Sequence, residues 1–426
     1  MDTKDLYSIF CEYSAICVDS RRIIPDSIFF ALKGENFDGN QYVKQALEKG
    51  CSFAVSDDLN NAGIHRCTVV ENVLQTLSSL AEYHRKKLNP HVLAITGTNG
   101  KTTTKELVGA VLSKKYKTVS TSGNFNNHIG VPLTLLSITE DCEIAVVEIG
   151  ANHAGEIAAL CEIACPNSGI ITNIGKAHLE GFGSEDGVKK AKGELYDYLN
   201  KTGGVIFYNS DDKILREMTK KTVNAKIVGY GKSSMGVETE QNVFLAFSSL
   251  QPEMRIKTSL AGQYNLNNAL AAIAAGKYFD IPDADIVAAI SDCKPENNRS
   301  QLVETEKNTV IMDAYNANPS SMETALINFA KLDRQNKMLI LGDMLELGDS
   351  SRKEHIHIME LIENLGFDKT VLIGENFYSL KNGSRAKHFF SRADAETYFA
   401  DNNPKSNTIL IKGSRKTGLE KLMYLL

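Results

Sequence analysis

A glycine-containing turn followed by a lysine is the first feature of the sequence with evident chemistry. Residues 92–104 read VLAITGTNGKTTT: four apolar residues run into a turn that contains Gly97 and Gly100, and Lys101 and three threonines lead into a helix pattern. Glycines let backbone N–H groups face phosphate oxygens, and a helix N-terminus adds a favourable dipole. Lysine contacts the β- and γ-phosphates, and a threonine hydroxyl can ligate Mg²⁺. The stretch therefore predicts a nucleoside triphosphate site.

The turn is shorter than the general phosphate-loop consensus, which has a glycine where this chain has Ile95. Glycine-rich turns between a strand and a helix can also serve only as connections. Because Gly-Lys-Thr falls where the strand and helix patterns require it, we favour nucleotide binding.

Three further side chains could take part in chemistry beside this turn. Glu148 ends an apolar strand pattern, His178 follows the next one, and Lys192 lies in a helix pattern rich in lysine. In parallel sheets ligands bind outside the carboxyl ends of the strands, so Glu148 and His178 are grouped with the turn. With Thr102 they could ligate Mg²⁺, although magnesium prefers oxygen. A capping carboxylate, a loop histidine bonded to backbone and a solvated lysine remain the alternatives.

These residues need an α/β framework to bring them together, and strand and helix patterns alternate along most of the chain. We predict strands at residues 27–32, 53–55, 68–70, 92–95, 117–121, 144–149, 168–173, 205–208, 309–313, 337–341, 370–373 and 408–412. We predict helices at residues 42–49, 73–87, 106–112, 187–199, 320–331 and 353–365, and a loop at residues 34–39. Asn265, which precedes an alanine-rich helix, is interpreted as its N-cap.

The chain of 426 residues is long enough for two or three domains. We predict an α/β fold of three domains, with boundaries near Asn89-Pro90 and residues 295–299. Residues 1–88 form a small α/β N-terminal domain, and residues 89–298 form a central P-loop-type ATPase domain with a mainly parallel sheet. Residues 299–426 form a Rossmann-like C-terminal domain.

Composition excludes several classes of function. The net charge is −5 and the predicted pI about 6.0, so no global basic surface for nucleic acid is expected. No apolar run approaches the roughly 20 residues that span a bilayer. The start of the sequence is acidic and polar, unlike a signal peptide, and the eight cysteines have no paired CxxC spacing. We expect a cytoplasmic monomer.

From the residues alone, a kinase, an ATPase and an ATP-dependent ligase all remain open. Polar residues follow strands in each predicted domain, which favours a ligase that brings two substrates to one ATP. The chain also resembles a known family, the Mur ligases of peptidoglycan synthesis, over essentially its whole length. The motifs that carry the resemblance are TGTNGKTT (96–103), GNFNNHIGVP (123–132), EIGANHAGEI (148–157), AHLEGFGS (177–184), KAKGE (190–194), DAYNANP (313–319), LGDMLELG (341–348), KGSR (412–415) and, in the first domain, DSR (19–21) with residues 29–39.

The resemblance is closest to the family member that adds a dipeptide, and it implies a reaction. ATP would phosphorylate the terminal carboxylate of UDP-N-acetylmuramoyl-tripeptide, and the amine of D-alanyl-D-alanine would attack the acyl phosphate. The resemblance also implies two Mg²⁺ ions. Thr102 and Glu148 would hold the first, and His178 would hold the second together with Lys192 as a carbamate. Catalytic roles therefore fall to Lys101, Glu148, His178 and Lys192.

The remaining site residues are carried over in the same way. ATP-binding residues would be Gly97, Thr98, Asn99, Gly100, Lys101, Thr102, Thr103, Asn268, Arg299, Asp313, Tyr315 and Asn316. Substrate-binding residues would be Ser20 and Arg21 for the UDP part, and Asn124, Asn127, Asn318, Lys412 and Arg415 for the peptide or dipeptide.

Two other functions compete with this one. One is another ligase of the family, which adds a single amino acid to a shorter muramoyl peptide or to folate, as folylpolyglutamate synthase does. The other is an inert nucleotide-binding partner subunit. The segments 150–153 and 179–182 argue against the first. The identity of the third peptide residue, lysine or another diamino acid, is not encoded in these motifs.

Overall fold

The computed structural model describes residues 1–240, 244–250, 253–294 and 299–426. Residues 295–298, on which the predicted second domain boundary falls, lie outside the described residues. Contacts divide the chain into two compact units. The first comprises residues 1–95, 116–151 and 155–169, and the second comprises residues 96–115, 152–154 and 170–426.

Helices and strands alternate through most of the described chain. The α-helices are α1 (Thr3–Tyr13), α2 (Val43–Glu48), α3 (Val73–Leu88), α4 (Lys101–Leu112), α5 (Gly130–Leu136), α6 (Glu156–Ala164), α7 (Leu179–Phe182), α8 (Glu185–Thr202), α9 (Lys213–Thr219), α10 (Leu266–Tyr278), α11 (Asp283–Asp292), α12 (Pro319–Lys331), α13 (Ser351–Asn364), α14 (Glu375–Tyr378) and α15 (Arg392–Asp401). The strands are β1 (Ala15–Cys17), β2 (Ser27–Phe30), β3 (Lys33–Gly34), β4 (Phe37–Asp38), β5 (Phe53–Ser56), β6 (Cys67–Val69), β7 (His91–Thr96), β8 (Thr118–Ser120), β9 (Ile144–Glu148), β10 (Ser168–Ile171), β11 (Val205–Asn209), β12 (Lys226–Tyr230), β13 (Val237–Thr239), β14 (Phe244–Leu250), β15 (Glu253–Ala261), β16 (Gln301–Glu304), β17 (Thr309–Asp313), β18 (Lys337–Gly342), β19 (Lys369–Ile373), β20 (Lys387–Phe389) and β21 (Thr408–Lys412).

The first unit begins with a four-stranded parallel sheet in the order β1-β2-β5-β6. All of β2 is buried, as its apolar sequence predicts. The prediction of a loop at residues 34–39 is wrong in part, because β3 and β4 pair there as a short antiparallel hairpin. Helix α1 was not predicted, and Asp2 caps it by accepting a hydrogen bond from the Asp5 backbone N–H at 2.8 Å.

Strand β7, which leads to the phosphate turn, is buried at every position after His91. It pairs in parallel with β9, and β9 pairs in parallel with β8. Residues 92–95 of β7 have no exposed surface, which explains their uninterrupted apolar run. Parallel pairing places Glu148 opposite Ile95, at the carboxyl end of both strands.

Arg85 joins α3 to the region that follows α6. Its Nε donates to the Ala164 carbonyl and its Nη2 to the Cys165 carbonyl, both at 2.9 Å, although only 3% of the residue is exposed. The Asn167 side-chain oxygen accepts two hydrogen bonds, one from Arg85 Nη2 and one from the Val92 N–H. The start of β7 is thus tied to α3 within the first unit.

The second unit contains two parallel strands, an antiparallel sheet and a larger mixed sheet. Strand β11 pairs in parallel with β12, and β13, β14 and β15 form an antiparallel sheet. The larger sheet has the order β16-β17-β21-β18-β19-β20, in which only the edge strand β16 is antiparallel. Apolar clusters cover its two faces, with Leu339 and Leu341 in one and Ile340 in the other. The predicted α/β class and the mainly parallel pairing are confirmed.

Among the described residues, none of the helices combines the length and the apolar character needed to cross a bilayer.

His91, at the start of β7, makes stability depend on pH. Burial, with a smaller effect of the Arg85 charge, lowers the pKa of His91 to about 4. An unfolded histidine has a pKa of about 6.5, so below that value the unfolded chain binds a proton that the folded protein does not. The free energy of unfolding therefore decreases as the pH falls from about 6.5 towards 4. At about pH 5 the loss is on the order of 2 kcal/mol.

We expect His91→Asn to lose less thermal stability than the wild type between pH 7 and pH 5, as measured by the melting temperature at each pH. The exposed His65→Asn variant is the matched control and keeps the wild-type dependence. Equal losses in the His91→Asn variant and the wild type would exclude His91 as a source of acid sensitivity.

Candidate active site

The turn between β7 and α4 is held in place by backbone and asparagine contacts. The Thr98 N–H donates to the Asn173 carbonyl, and the Asn99 N–H donates to the Asn173 side-chain oxygen, both at 3.0 Å. Lys101 Nζ donates to the carbonyls of Gly97 at 2.7 Å and Thr98 at 3.1 Å. The ammonium group therefore lies over the turn that the sequence predicts for the phosphates.

Gly100 is required by a close approach of α10. It precedes α4 with φ +81°, and a Cβ there would lie 2.5 Å from Asn268 Oδ1. That oxygen accepts a hydrogen bond from Thr104 Oγ1 at 3.1 Å, and Asn268 Nδ2 donates to Asn265 Oδ1 at 2.9 Å. The interpretation of Asn265 as a side-chain cap is wrong: it occupies the N-cap position, but its side-chain oxygen binds Asn268 instead of a backbone N–H.

Residues from the predicted C-terminal domain contact the same turn. Asn318 Nδ2 donates to Asn99 Oδ1 at 2.9 Å while its own oxygen caps α12. The Lys176 N–H donates to Ser320 Oγ at 2.8 Å, and Lys176 Nζ lies 3.0 Å from the Glu354 carboxylate. The start of α12 thus lies against the phosphate turn within the second unit.

A cationic and aromatic cluster follows β17. The Arg299 guanidinium lies 3.6 Å from the centre of the Tyr315 ring, and that of Arg415 lies 5.4 Å from it. Lys412, which is 3% exposed, places Nζ 2.6 Å from the Asp313 carboxylate and donates to the Asn316 carbonyl at 3.3 Å. Arginines stacked on an aromatic ring keep their N–H groups available to an anion.

His178 and Lys192 both lie near the ring of Phe182. The His178 ring meets the Phe182 ring edge to face at 6.3 Å, and Lys192 Nζ lies 5.1 Å from the centre of that ring. Lys192 is only 2% exposed, so it is not the solvated lysine that its helix pattern allows. His178 Nδ1 lies 2.5 Å from Glu346 Oε2, and this contact lowers the pKa of the Glu346 carboxyl.

Glu148 is a buried carboxylate of the first unit. It is 1% exposed, and its Oε1 accepts a hydrogen bond from Asn126 Nδ2 at 2.7 Å. Asn127 Oδ1 accepts hydrogen bonds from the N–H groups of Ile129 and Gly130 at the start of α5, and Asn124 is exposed.

The predicted UDP-binding pair lies after β1. Ser20 is 4% exposed, whereas the Arg21 side chain is exposed and forms two hydrogen bonds of 2.9 Å to Asp19. These bonds lower the pKa of Asp19 to about 2.

The donor chemistry fits magnesium in part. The Thr102 hydroxyl and the Glu148 carboxylate are the hard oxygens that Mg²⁺ prefers. The Lys192 amine fits only if it becomes a carbamate, which supplies oxygen. Among the described residues, no three His, Cys, Asp or Glu side chains are grouped as a metal site.

The predicted site residues therefore form several groups. The first unit holds Ser20, Arg21, Asn124, Asn127 and Glu148, and the second holds all the others. Within the second unit, the turn lies beside Asn268 and Asn318, and Tyr315 lies beside Arg299 and Arg415. Sequence reasoning missed Asn126, Asn173 and Glu346. Asn126 and Glu346 could have been suspected from their places in the motifs 123–132 and 341–348, whereas Asn173 is identified only by its contacts with the turn.

Comparison with known proteins finds matches to three domain models of one family. The model described as "Mur ligase family, catalytic domain" matches residues 12–93. "Mur ligase middle domain" matches residues 95–276, and "Mur ligase, glutamate ligase domain" matches residues 298–415. Three consecutive matches confirm the predicted three-domain architecture.

Individual relatives match nearly the whole chain. UDP-N-acetylmuramoyl-tripeptide–D-alanyl-D-alanine ligase of Bacillus subtilis is 35% identical over 96% of this chain and 92% of its own length. The enzyme of the same name from Escherichia coli is 31% identical over the same shares. A crystal structure of MurF from Acinetobacter baumannii is 32% identical, covers 99% of this chain and 97% of its own, and has a TM-score of 0.87. The fold is also shared with the Thermotoga maritima MurF ligase in complex with ADP, at 24% identity over 96% of each chain and a TM-score of 0.85.

The close approach of Asn268 to Gly100 can be tested by stability. Gly100→Ala would force a side chain into a left-handed conformation, at about 1–2 kcal/mol, and would also displace Asn268. We expect it to lower the free energy of unfolding by more than the matched control Gly183→Ala, measured by denaturant titration. Gly183 has a similar φ of +73°, but its Cβ position has open space around it.

Adding Asn268→Ala to Gly100→Ala should recover the steric part of the loss, so that the two changes together cost less than their sum. Equal costs for Gly100→Ala and Gly183→Ala, with additive effects in the double variant, would show that Asn268 does not constrain the turn.

Proposed function

The chain belongs to the Mur ligase family, and from that premise we propose that it joins D-alanyl-D-alanine to UDP-N-acetylmuramoyl-tripeptide. The reaction consumes ATP, forms ADP and phosphate, and supplies a peptidoglycan precursor. The observation that carries the proposal is the 35% identity over 96% of the chain with a ligase of that name. We also propose that it acts as a monomer in the cytoplasm, which supplies ATP and nucleotide-linked precursors.

The chemistry follows from the low reactivity of a carboxylate. Its negative charge repels an amine nucleophile, and it has no good leaving group. The γ-phosphoryl group of ATP is transferred to a carboxylate oxygen, which gives an acyl phosphate and ADP. The amine of the dipeptide then attacks the acyl carbon and loses a proton. The resulting tetrahedral intermediate expels phosphate and leaves the amide.

Bringing two anions together is the main electrostatic difficulty of the first step. Lys101 and the amides of residues 97–103 would hold the phosphates. The two bound Mg²⁺ ions would neutralise charge on the phosphates and the acyl oxygen. Thr102 and Glu148 would provide oxygen donors for one ion, and His178 and carbamylated Lys192 would provide donors for the other.

The burial of Lys192 supports the carbamate. Lys192 is 2% exposed, and carbamate formation needs the neutral amine to attack CO₂, a form that burial favours. The product carries a negative charge and two oxygens, which suit a magnesium ion better than an amine does.

The other residues divide by substrate. Asn268, Arg299, Asp313, Tyr315 and Asn316 would surround the adenine, ribose and phosphates of ATP. The stacking of Arg299 on Tyr315 supports this assignment because it presents cationic N–H groups beside an aromatic face.

The UDP part would contact Ser20 and Arg21 in the domain of residues 1–88. Asn124 and Asn127, in the ATP-binding domain of residues 89–298, would contact the peptide. Asn318, Lys412 and Arg415, in the domain of residues 299–426, would contact the peptide or the incoming dipeptide. When the UDP part binds, the Arg21 guanidinium would either leave Asp19 and contact the substrate, or stay paired so that both side chains contact it.

The reaction is tested by phosphate release with ATP, UDP-N-acetylmuramoyl-tripeptide and D-alanyl-D-alanine, and the product mass identifies which tripeptide is used. We expect Lys101→Ala to abolish both phosphate release and ligation, whereas the exposed Lys114→Ala retains both. Turnover with a free amino acid but not with the dipeptide would favour another ligase of the family. Ligation that persists in Lys101→Ala would place the reaction outside this turn.

The role of Lys192 is tested separately from its contribution to packing. Lys192→Met keeps the length of the side chain, and we expect it to lose ligation by at least about 100-fold with a smaller effect on the melting temperature. The matched control is the exposed Lys190→Met, which should keep full activity. Labelling with ¹³C-bicarbonate should give a carbamate resonance in the wild type that is absent in Lys192→Met. An active wild type without that resonance would contradict the carbamate.

A further inference from the structure

A carboxylate from the segment after β18 contacts the imidazole of His178. Glu346 Oε2 lies 2.5 Å from His178 Nδ1, and the Glu180 N–H approaches the Glu346 carbonyl at 3.4 Å. In the predicted domain organisation, Glu346 belongs to residues 299–426 and His178 to residues 89–298. Both lie in the second compact unit.

Both partners have an unusual backbone conformation. His178 has φ +49° and Glu346 has φ +64°, in the left-handed region that side chains other than glycine rarely adopt. Such residues persist when the surrounding structure determines them, and they cluster at functional sites. The conformation aims the two side chains at each other across two separate segments of the chain.

The segment that carries Glu346 is fixed on both sides of it. The Met344 N–H donates to the fully buried His355 ring at 3.1 Å, and the Leu345 N–H donates to Ser414 Oγ at 3.0 Å. Leu347 is buried in the apolar core below. The backbone of the segment that carries Glu346 is therefore held by contacts with the C-terminal sheet and its core, in addition to the contact with the Glu180 N–H.

The contact decides which imidazole nitrogen carries the proton. A carboxylate only accepts hydrogen bonds, so Nδ1 must be the protonated nitrogen and donate to Glu346. The lone pair of the neutral ring is then on Nε2. No partner of Nε2 is found within the part of the chain that the structure describes.

We propose that Glu346 is a positioning residue that holds His178 in the Nδ1-protonated tautomer and aims Nε2 at a divalent cation. This inference rests on the proposed function in one respect, the role of His178 as a metal ligand. Carboxylates that bind the second nitrogen of a ligating histidine orient the ring and increase its basicity. It follows that the metal ligand set is complete only when the segment 343–348 is packed against the His178 loop.

The tautomer can be measured without metal or substrate. Long-range ¹H–¹⁵N spectra of histidine-labelled protein at about pH 8, where an ordinary imidazole is neutral, distinguish protonated Nδ1 from protonated Nε2. We expect the Nδ1 tautomer for His178 in the wild type and in Glu346→Gln, whose amide oxygen still accepts the bond. Glu346→Ala should shift the population towards the Nε2 tautomer that free histidine prefers. His178→Asn assigns the resonance.

The matched control is Asp349→Ala. It removes a negative charge three residues away on the same segment, where the side chain is exposed, and should leave the tautomer unchanged. A wild-type tautomer in Glu346→Ala would overturn the proposal, because the carboxylate would then not determine the protonated nitrogen.

The second measurement is Mn²⁺ binding in the presence of ADP, followed by electron paramagnetic resonance. We expect Glu346→Ala to weaken the binding of one ion by roughly 10- to 100-fold, Glu346→Gln to weaken it less, and Asp349→Ala to match the wild type. Unchanged affinity in Glu346→Ala would overturn the positioning role.

Unchanged affinity in His178→Asn would instead contradict the proposed metal role of His178. The tautomer experiment would still decide the contact with Glu346, so the two failures are distinguishable. Melting temperatures of all variants show whether a loss reflects unfolding.

Discussion

The distance between α10 and the phosphate turn is the constraint on which the candidate site depends. Asn268 comes so close to Gly100 that no side chain fits there, and its oxygen binds Thr104 in the first turns of α4. The turn can therefore point its N–H groups towards a ligand only while α10 stays in place. Because Asn265 also binds Asn268, the start of α10 is held by the same set of amides. At this point buried polar side chains hold two elements together, as apolar packing does elsewhere in the fold.

The charged groups of the candidate site each have a partner. Lys412 and Asp313 pair at a strand end, Glu148 accepts from Asn126, and Lys101 is held by two carbonyls. Buried charges are costly unless they are compensated, so these pairs keep the groups in place before a substrate arrives. For an enzyme that must join two anions, a framework with charges already fixed reduces the reorganisation needed during the reaction.

Much of the fold could be predicted from periodicity, and the errors have physical reasons. Strands such as β7, β17 and β21 were found within one residue of their predicted bounds, because buried parallel strands are continuously apolar. The hairpin of β3 and β4 was missed because two-residue strands leave no periodic signal. The interpretation of Asn265 as a side-chain cap was wrong because an asparagine at a helix start usually accepts a hydrogen bond from a backbone N–H of that helix. Only the contact with Asn268 shows that its oxygen is used differently. The site residues were predicted where they lie in one motif, whereas the pairing of Glu346 with His178 and of Asn173 with the turn depends on contacts between distant residues.

The hydrogen bonds of Arg85 bear on how the first unit can be divided. A cut after residue 88 looks natural in the sequence, since a helix ends there and Asn89-Pro90 follows. The guanidinium of that helix nevertheless binds the carbonyls of Ala164 and Cys165, far along the chain. A fragment that stops at residue 88 would carry an arginine with none of these partners, and the remainder would lose the donor for two carbonyls. The N-terminal segment and the β7 region are therefore expected to exchange amide protons as one cooperative block, even though the sequence assigns them to separate domains.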